Sequence, residues 1–274
     1  MSTITQMKPD EARKFMEGSK PDTYTLLDVR QEAEYEQDHI PGARLMPLSE
    51  LPDHFNELDK ERPLLVYCAS GGRSMAAAAL LQGQGFEDVN NLVGGISSWV
   101  GEGAFGPMEL GMIAFTGAEG PVEIILKAYA MENVLQVFYV QRADMAETME
   151  RIGLFMRLAG FEDKHKDVLY ELYTRVADEV MSREEFERTA LRNATDMAEG
   201  GVPVSEFMDR FPGAFEDDRG VLELASMVEA QALDYYLRCA MRAKNEDARD
   251  VLQLLAREEK AHLKLIGKYM DGQN

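Results

Sequence analysis

A set of carboxylate and imidazole side chains occurs twice in this sequence, at a fixed offset of 97 residues. Each copy has a glutamate followed, 30 residues later, by the start of a Glu-x-x-His motif. The first copy consists of Glu132, Glu162 and His165, and the second of Glu229, Glu259 and His262. Residues three apart on a helix share a face, so each Glu-x-x-His pair presents both ligands in one direction. Four carboxylates and two imidazoles are the ligand set with which helical bundles hold two metal ions.

A single Glu-x-x-His motif on a helix is usually a solvated pair, and by itself it indicates little. The repeat favours metal binding, because solvated pairs have no reason to recur in register. The neighbours of both motifs at helical spacing are apolar, namely Leu158, Leu169, Leu255 and Ile266. Burying four ionised carboxylates there would cost several kcal/mol per charge, which two divalent cations would offset. The sequence therefore predicts a dinuclear metal site, and its oxygen and nitrogen ligands suit iron or manganese.

The second candidate for chemistry is Cys68, one of two cysteines in the chain. It follows the apolar run Pro63–Tyr67 and begins the sequence C-A-S-G-G-R-S, ahead of an alanine-rich segment. Gly71 and Gly72 allow the backbone to turn several N–H groups inward, and the N-terminus of the following helix adds positive potential. Together with Arg73, these features predict a thiol with a lowered pKa and therefore a nucleophilic thiolate.

This cysteine has two alternative interpretations. An isolated cysteine at a strand end is usually an inert packing residue, which is how we interpret Cys239, ten residues after Glu229. Protein tyrosine phosphatases also use a cysteine loop with an arginine, but their spacing is Cys-x5-Arg. Here four residues separate Cys68 from Arg73, and the tighter loop favours a sulfur atom over a phosphate group.

Composition excludes several classes of protein. The chain has 274 residues, enough for two domains with separate cores. Its formal net charge of -20 argues against nucleic acid or anionic lipid as a partner. It has no apolar run long enough to span a bilayer, and its charged N-terminal segment is not typical of a secretory signal. Neither cysteine lies in a C-x-x-C motif, so a rubredoxin-type iron site is excluded and a cytoplasmic location is expected.

The N-terminal part of the chain alternates between strand-like and helix-like segments. The predicted strands are Thr23–Val29, Pro63–Tyr67 and Val89–Leu92, and the clearest predicted helix is Ser74–Gln82. Such alternation indicates an α/β domain, a parallel sheet with flanking helices. We predict this domain over residues 1–105, followed by a linker rich in glycine over residues 106–118.

The remainder of the chain is predicted to be an all-α four-helix bundle over residues 119–274. Helical periodicity indicates long helices at about residues 121–150, 151–180, 217–244 and 247–270. The intervening segment, about residues 183–216, is long enough to cross over between the second helix and the third, and a short helix is expected within it at about residues 183–198. Each copy of the metal-ligand motif therefore falls on one pair of helices.

Residues 4–104 resemble the rhodanese family. The segment L-L-D-V-R-Q-E-A-E-Y-E-Q-D-H-I-P-G-A at 26–43 is similar to the family's first signature, and L-V-G-G-I-S-S-W at 92–99 to its last. Rhodaneses take sulfane sulfur from a donor such as thiosulfate, hold it as a cysteine persulfide, and pass it to a thiol or to cyanide. The residues that this resemblance implies are the nucleophile Cys68 assisted by Arg73 and Ser74, with a substrate-binding loop of Ala69, Ser70, Gly71 and Gly72. It also implies a buried ion pair between Asp28 and Arg30.

Four segments in residues 119–274 resemble the ferritin-like superfamily, within it the rubrerythrin and erythrin branch. They are M-E-N-V-L-Q-V-F-Y, E-D-K-H, V-E-A-Q-A-L-D-Y-Y and E-K-A-H. The resemblance implies two iron ions, bridged by oxygen and held by the six ligands, which reduce peroxide or oxygen. Rubredoxin cysteines are absent, so electrons are expected from a separate donor protein. Rubrerythrins also place a glutamate one turn after the third-helix ligand, where this chain has Ala232, so an erythrin-type site with six protein ligands is expected.

The two parts together predict a bifunctional enzyme, a rhodanese-type sulfurtransferase joined to a rubrerythrin-like di-iron oxidoreductase that acts on peroxide, oxygen or a sulfur species. The expected partners are a small-molecule sulfur donor and acceptor, an electron donor protein and a second copy of the chain in a homodimer. One alternative is an iron-binding, iron-buffering protein whose rhodanese domain senses sulfur. A metal-free bundle that mediates dimerisation ranks last, because all six ligand positions are intact.

Overall fold

The computed structural model describes residues 4–21, 23–101, 103–112, 115–192 and 195–270. The chain divides into two compact units, Met1–Glu109 and Leu110–Asn274. The first unit is an α/β structure and the second is mainly helical. Among the described helices, none combines the length and apolar character needed to cross a membrane.

The first unit is built on a five-stranded sheet in which all neighbouring strands are parallel. Its strands are β1 Thr5–Met7, β2 Thr25–Asp28, β3 Arg44–Leu45, β4 Leu64–Tyr67 and β5 Val89–Leu92, in the order β1-β5-β4-β2-β3. All four residues of β4 are buried, as expected of an apolar strand in the middle of a parallel sheet. The prediction of an α/β domain with a parallel sheet is confirmed.

Helices lie along both faces of this sheet because successive strand residues point in opposite directions. The helices are α1 Pro9–Gly18, α2 Glu32–Gln37, α3 Leu51–His54 and α4 Gly72–Gly83. Leu64 and Val66 of β4 belong to a core that includes Ala78 and Leu81 of α4. Leu65 and Tyr67 of the same strand belong to a second core that includes Ala12 of α1 and Tyr35 of α2. Because β4 is buried on both faces, the position of its last residue is fixed, and so is the start of the loop that begins with Cys68.

The second unit contains four long helices and a short connecting region. The long helices are α5 Pro121–Met145, α6 Met149–Val176, α9 Asp218–Arg242 and α10 Glu246–Met270. Their starts follow from capping: Thr148 accepts a hydrogen bond from the backbone N–H of Arg151, and Asp217 accepts one from Gly220. Helix α5 packs against α6, α9 packs against α10, and α5 also contacts α10.

The region between α6 and α9 contains a short helix within residues 183–198, where the sequence predicts one, together with short elements that the sequence does not predict. It contains the short helices α7 Arg183–Leu191 and α8 Val204–Arg210, and two short strands, β6 Met197–Ala198 and β7 Val202–Pro203. The two strands pair antiparallel, with Ala198 opposite Val202, so they form a hairpin. Sequence periodicity gives no sign of this hairpin, because each strand has only two residues.

Candidate functional sites

The thiol of Cys68 lies in the loop between β4 and α4, where two donors reach its sulfur. The backbone N–H of Gly71 donates to Cys68 Sγ at 3.1 Å, and the Ser74 hydroxyl lies 3.5 Å from the same atom. Gly71 has a φ of +97°, which a residue with a side chain adopts only at a cost. Helix α4 begins at Gly72 rather than at Ser74, so Ser74 lies within the first turn and its hydroxyl faces the thiol.

A second loop, which follows β5, donates backbone hydrogen bonds to the cysteine loop. The backbone N–H of Ile96 donates to the carbonyl of Cys68 at 2.8 Å, and that of Ser97 donates to the carbonyl of Ala69 at 3.0 Å. Gly95 is so close that a Cβ atom there would overlap the Cys68 carbonyl oxygen. The glycines of the L-V-G-G-I-S-S-W segment therefore allow two loops to interlock, which holds the N–H groups of the cysteine loop in place.

These contacts change the acidity of the Cys68 thiol. Burial acts to raise its pKa, but the Ser74 hydroxyl and the backbone N–H groups of Ser74, Ser70 and Gly71 lower it, and the net shift is downward. The N-terminus of α4 contributes in the same direction. The loop therefore stabilises an anion on sulfur, which is the requirement for a nucleophilic cysteine.

The guanidinium of Arg73 donates its hydrogen bonds to Glu34. Its two terminal nitrogens donate to the two carboxylate oxygens of Glu34, each at 2.6 Å. This pairing lowers the pKa of Glu34 to about 2. Arg73 still interacts electrostatically with Cys68, so it adds positive potential at the thiol while its donors are held by Glu34.

The other predicted residues of this unit make contacts around the cysteine loop or form a buried ion pair, except for Gly72. Ala69 contributes its carbonyl to the contact with Ser97, and Ser70 contributes its backbone N–H to the thiol. Gly72 is exposed, and a Cβ atom there would meet nothing within 4 Å. Asp28 and Arg30 form a buried ion pair of 2.8 Å, as the sequence predicts.

In the second unit, the six predicted metal ligands occupy the four long helices. Glu132 lies on α5, Glu162 and His165 on α6, Glu229 on α9, and Glu259 and His262 on α10. The four glutamates and His165 are buried, with exposed fractions of 2–7%, and His262 is 18% exposed. The repeated motif therefore places its acidic side chains inside the unit.

The structure brings these ligands together as two triads. In the α5–α6 triad, ligand atoms of Glu132, Glu162 and His165 all lie within 4.8 Å of one another, and the same holds for Glu229, Glu259 and His262 in the α9–α10 triad. The two imidazole rings stack with their centroids 3.5 Å apart and 7° between their planes, so the triads adjoin. Side chains 97 residues apart in sequence thus meet in one cluster.

A fifth carboxylate, Glu199, joins this cluster. Its ligand atom lies within 4.8 Å of those of Glu132 and Glu259, one residue from each triad. The Tyr236 hydroxyl donates to Glu199 Oε1 at 2.9 Å. Glu199 was not predicted as a ligand because it lies in the turn of the β6–β7 hairpin, outside the repeat and without helical spacing. We find no signal in the sequence that would have identified it.

The electrostatics of the cluster are dominated by burial and by the proximity of several carboxyl groups. Burial, together with neighbouring carboxylates, raises the pKa values of Glu132 and Glu259 well above the usual range and that of Glu199 to about 7. Burial alone would lower the pKa of His165, but Glu162 and other carboxylates raise it to about 10. At Glu229 the nearby histidines outweigh burial, and the pKa is lowered.

This set of donors fits a pair of metal ions. Carboxylate oxygens and imidazole nitrogens are hard or borderline ligands that suit divalent iron or manganese. The buried oxygen Glu199 Oε2 has no hydrogen-bond partner among the described residues, which is the state of a group that has room for a cation. The residues that could hold the ions are the two triads and Glu199.

Comparison with known proteins identifies the first unit. The family model "Rhodanese-like domain" matches residues 8–102. Thiosulfate sulfurtransferase GlpE of Coxiella burnetii is 39% identical over 74 residues, which cover 27% of this chain and 69% of that protein. Bacillus subtilis YrkF is 41% identical over 81 residues, covering 30% of this chain and 44% of that protein, so the chain spans less than half of its length.

Among solved structures, the rhodanese-like domain protein from Staphylococcus aureus is 31% identical, with a TM-score of 0.33. The match covers 35% of this chain and 92% of that one. The family match, at residues 8–102, includes Cys68 and its loop. The chain therefore belongs to the rhodanese-like family, and residues 8–102 carry that membership.

Proposed function

We propose that the protein is bifunctional. Its first unit is a rhodanese-type sulfurtransferase in which Cys68 carries sulfane sulfur as a persulfide. Its helical unit is a ferritin-like four-helix bundle that holds two iron ions and acts as an oxidoreductase. The observation that carries the first part is the convergence of backbone N–H groups and the Ser74 hydroxyl on Cys68 Sγ. Kinship with GlpE, named a thiosulfate sulfurtransferase, supports thiosulfate as the donor.

The sulfur transfer needs no outside oxidant or reductant. The Cys68 thiolate attacks the outer sulfur of thiosulfate, the bond between the two thiosulfate sulfurs breaks, and sulfite leaves with the electron pair. The enzyme then carries Cys68 as a persulfide anion. An acceptor such as cyanide attacks the terminal sulfur, forms thiocyanate and returns the thiolate. The N–H groups of Ser70 and Gly71 stabilise the negative charge on sulfur before and after each transfer.

Replacing the nucleophile tests this function. Cys68→Ser should reduce thiocyanate formation from thiosulfate and cyanide by about 10³-fold or more, because a serine hydroxyl neither ionises at neutral pH nor forms a persulfide. Cys239→Ser is the matched control and should retain full turnover, since Cys239 is buried in the other unit. Turnover that survives in Cys68→Ser would rule out the assigned role.

The metal function is supported by the two triads, in which burial and neighbouring carboxylates raise the pKa values of Glu132 and Glu259 well above the usual range. A bound pair of iron ions supplies the one-electron steps that reduction of peroxide or oxygen requires. Peroxide reduction to two waters takes two electrons and two protons, and a separate electron donor protein delivers the electrons. The chain's own contribution is to hold the ligands in a buried position that limits access of bulk water.

Elemental analysis and ferrous titration test the metal site. Protein refolded with ferrous ion under argon should bind about two irons per chain, and Glu132→Gln combined with Glu229→Gln should bind far less. The same elemental analysis of protein as isolated distinguishes iron from manganese. Absence of metal uptake by the parent protein would refute this half of the proposal. Hundreds of irons per chain in a large shell would support storage instead.

A further inference from the structure

The β6–β7 hairpin has a turn of three residues, Glu199, Gly200 and Gly201. Gly200 and Gly201 have φ values of +84° and +69°, in the left-handed region that favours glycine. The N–H of Gly201 donates to the carbonyl of Ala198 at 3.1 Å and closes the turn. The backbone on either side of Glu199 is thus fixed by the pairing of β6 with β7 and by the hydrogen bond that closes the turn.

The turn packs directly on the backbone of α9. A Cβ atom on Gly200 would lie 2.8 Å from Gln231 Cγ and 3.0 Å from the backbone nitrogen of Ala232. Ala232 is fully buried and stands one helical turn after the ligand Glu229. The turn has a glycine and the helix has an alanine at this contact. These small residues allow the hairpin to pack close to α9, one helical turn from Glu229.

The side chain of Glu199 enters the cluster from this turn. It is 1% exposed, and its Oε1 atom accepts a hydrogen bond from Tyr236. Its Oε2 atom is buried and has no hydrogen-bond partner among the described residues. A ligand atom of Glu199 lies within 4.8 Å of ligand atoms of Glu132 and Glu259. One oxygen is thereby held in place while the carboxylate stands beside a member of each triad.

A purely structural role does not account for this arrangement. Accepting one hydrogen bond from a tyrosine requires no carboxylate, and a glutamine would serve without adding charge. Leaving a buried acceptor without a partner costs about 1–3 kcal/mol, and more if it is charged. Placing it beside four other buried carboxylates adds repulsion. A cation would bind the unpartnered oxygen and would offset the repulsion between the carboxylates.

We propose that Glu199 is a seventh protein ligand of the dinuclear metal centre, supplied by the β6–β7 hairpin rather than by a long helix. The inference rests on the proposed metal site and assigns a ligand outside the six in the repeat. It brings a carboxylate from the connecting region to the cluster, through a turn whose Gly200 packs against the backbone of Ala232.

Cobalt titration of the metal-free full-length protein tests the inference, because Co²⁺ takes the same ligands and its absorption bands report coordination. The parent protein should bind two Co²⁺ per chain. In Glu199→Gln, which keeps the shape and the acceptor for Tyr236, at least one ion should bind about tenfold more weakly or worse, with altered visible absorption bands. Glu206→Gln is the matched control, since Glu206 lies on α8 with its side chain 40% exposed, paired with Arg210 at the surface. This control should match the parent protein.

Tyr236→Phe separates ligation from positioning, because it removes the hydrogen bond to Glu199 and leaves the carboxylate. Weaker binding in Glu199→Gln than in Tyr236→Phe supports ligation. Equal losses in the two variants would overturn the proposal, since Glu199 would then act only through Tyr236. Binding and spectrum unchanged in Glu199→Gln would also overturn it and leave the six-ligand site intact. No cobalt binding by the parent protein would refute the metal site itself. Far-ultraviolet circular dichroism of each metal-free variant verifies that it is folded.

Discussion

The two units place negative charge in opposite surroundings. At Cys68 the backbone N–H groups and the Ser74 hydroxyl converge on one anion, and its pKa falls. At the cluster of the helical unit, carboxylates converge on one another, and the pKa values of Glu132 and Glu259 rise. The anion at the first site is stabilised by donors within the chain, whereas the carboxylates of the second would be neutralised by the cations that we propose. Backbone donors prepare a site for an anion, whereas side-chain acceptors prepare one for a metal.

The largest expected effect compares the two cysteines. Burial raises the pKa of Cys239 to about 12, while that of Cys68 is lowered. Because only the thiolate reacts, iodoacetamide at pH 8 should modify Cys68 about 10³-fold faster than Cys239 in the native protein. Peptide mass spectrometry after timed quenching measures both rates. Similar rates for the two thiols would contradict the proposed activation of Cys68, and denatured protein provides the control in which the difference should vanish.

Metal should stabilise one unit and not the other. Ferrous ion at 100 times its dissociation constant contributes about 2.7 kcal/mol per site to a state that binds it. For a unit of this size, each site therefore contributes a rise of about 5–10 °C in melting temperature. Scanning calorimetry of the full chain under argon should show this rise in the transition of the helical unit only. An equal shift of both transitions would mean that the ions do not bind specifically at the triads.

Removing the Ser74 hydroxyl, which donates to the thiol, should reduce the difference in reactivity between Cys68 and Cys239. Ser74→Ala deletes the hydroxyl that lies 3.5 Å from Cys68 Sγ, so the pKa of Cys68 should rise and less thiolate should form at neutral pH. The sign follows from the hydrogen bond, which stabilises the anion and not the thiol. The rate of alkylation at pH 7 should fall by roughly three- to tenfold, the equivalent of about 0.5–1.5 kcal/mol. A pH profile of the rate should move to higher pH, and an unchanged profile would assign the activation to the backbone alone.

The smallest effect concerns Arg73 and Glu34. In Glu34→Gln the guanidinium of Arg73 loses its anionic partner and becomes available to thiosulfate, a dianion. The KM for thiosulfate should fall by about two- to threefold with kcat unchanged, since half-exposed ion pairs contribute little. Steady-state kinetics at fixed cyanide concentration measures both constants. A higher KM would instead show that Glu34 holds Arg73 in the orientation that substrate binding needs.

The sequence predicted regular elements well, because their signals are local. The apolar run before Cys68 is a buried strand, the alanine-rich segment after it is a helix, and the spacing of the Glu-x-x-His pairs does place each pair on one helix. The strand predicted at Thr23–Val29 is shorter, Thr25–Asp28.

Pairings that depend on tertiary structure were not predicted. Arg73 and Glu34 are 39 residues apart, and no periodicity relates them. Glu199 lies in a turn flanked by two-residue strands, too short for alternation to be visible. Its approach to the cluster depends on how the hairpin packs against α9, which only three-dimensional contacts reveal.

The interlock between the two loops has a consequence for synthesis of the chain. The carbonyls of Cys68 and Ala69 are held by the N–H groups of Ile96 and Ser97, which leave the ribosome almost thirty residues after the thiol does. Until those residues emerge, the cysteine loop lacks these two hydrogen bonds. We therefore expect the positions of the N–H groups around the sulfur to become fixed only after the segment that follows β5 has been synthesised.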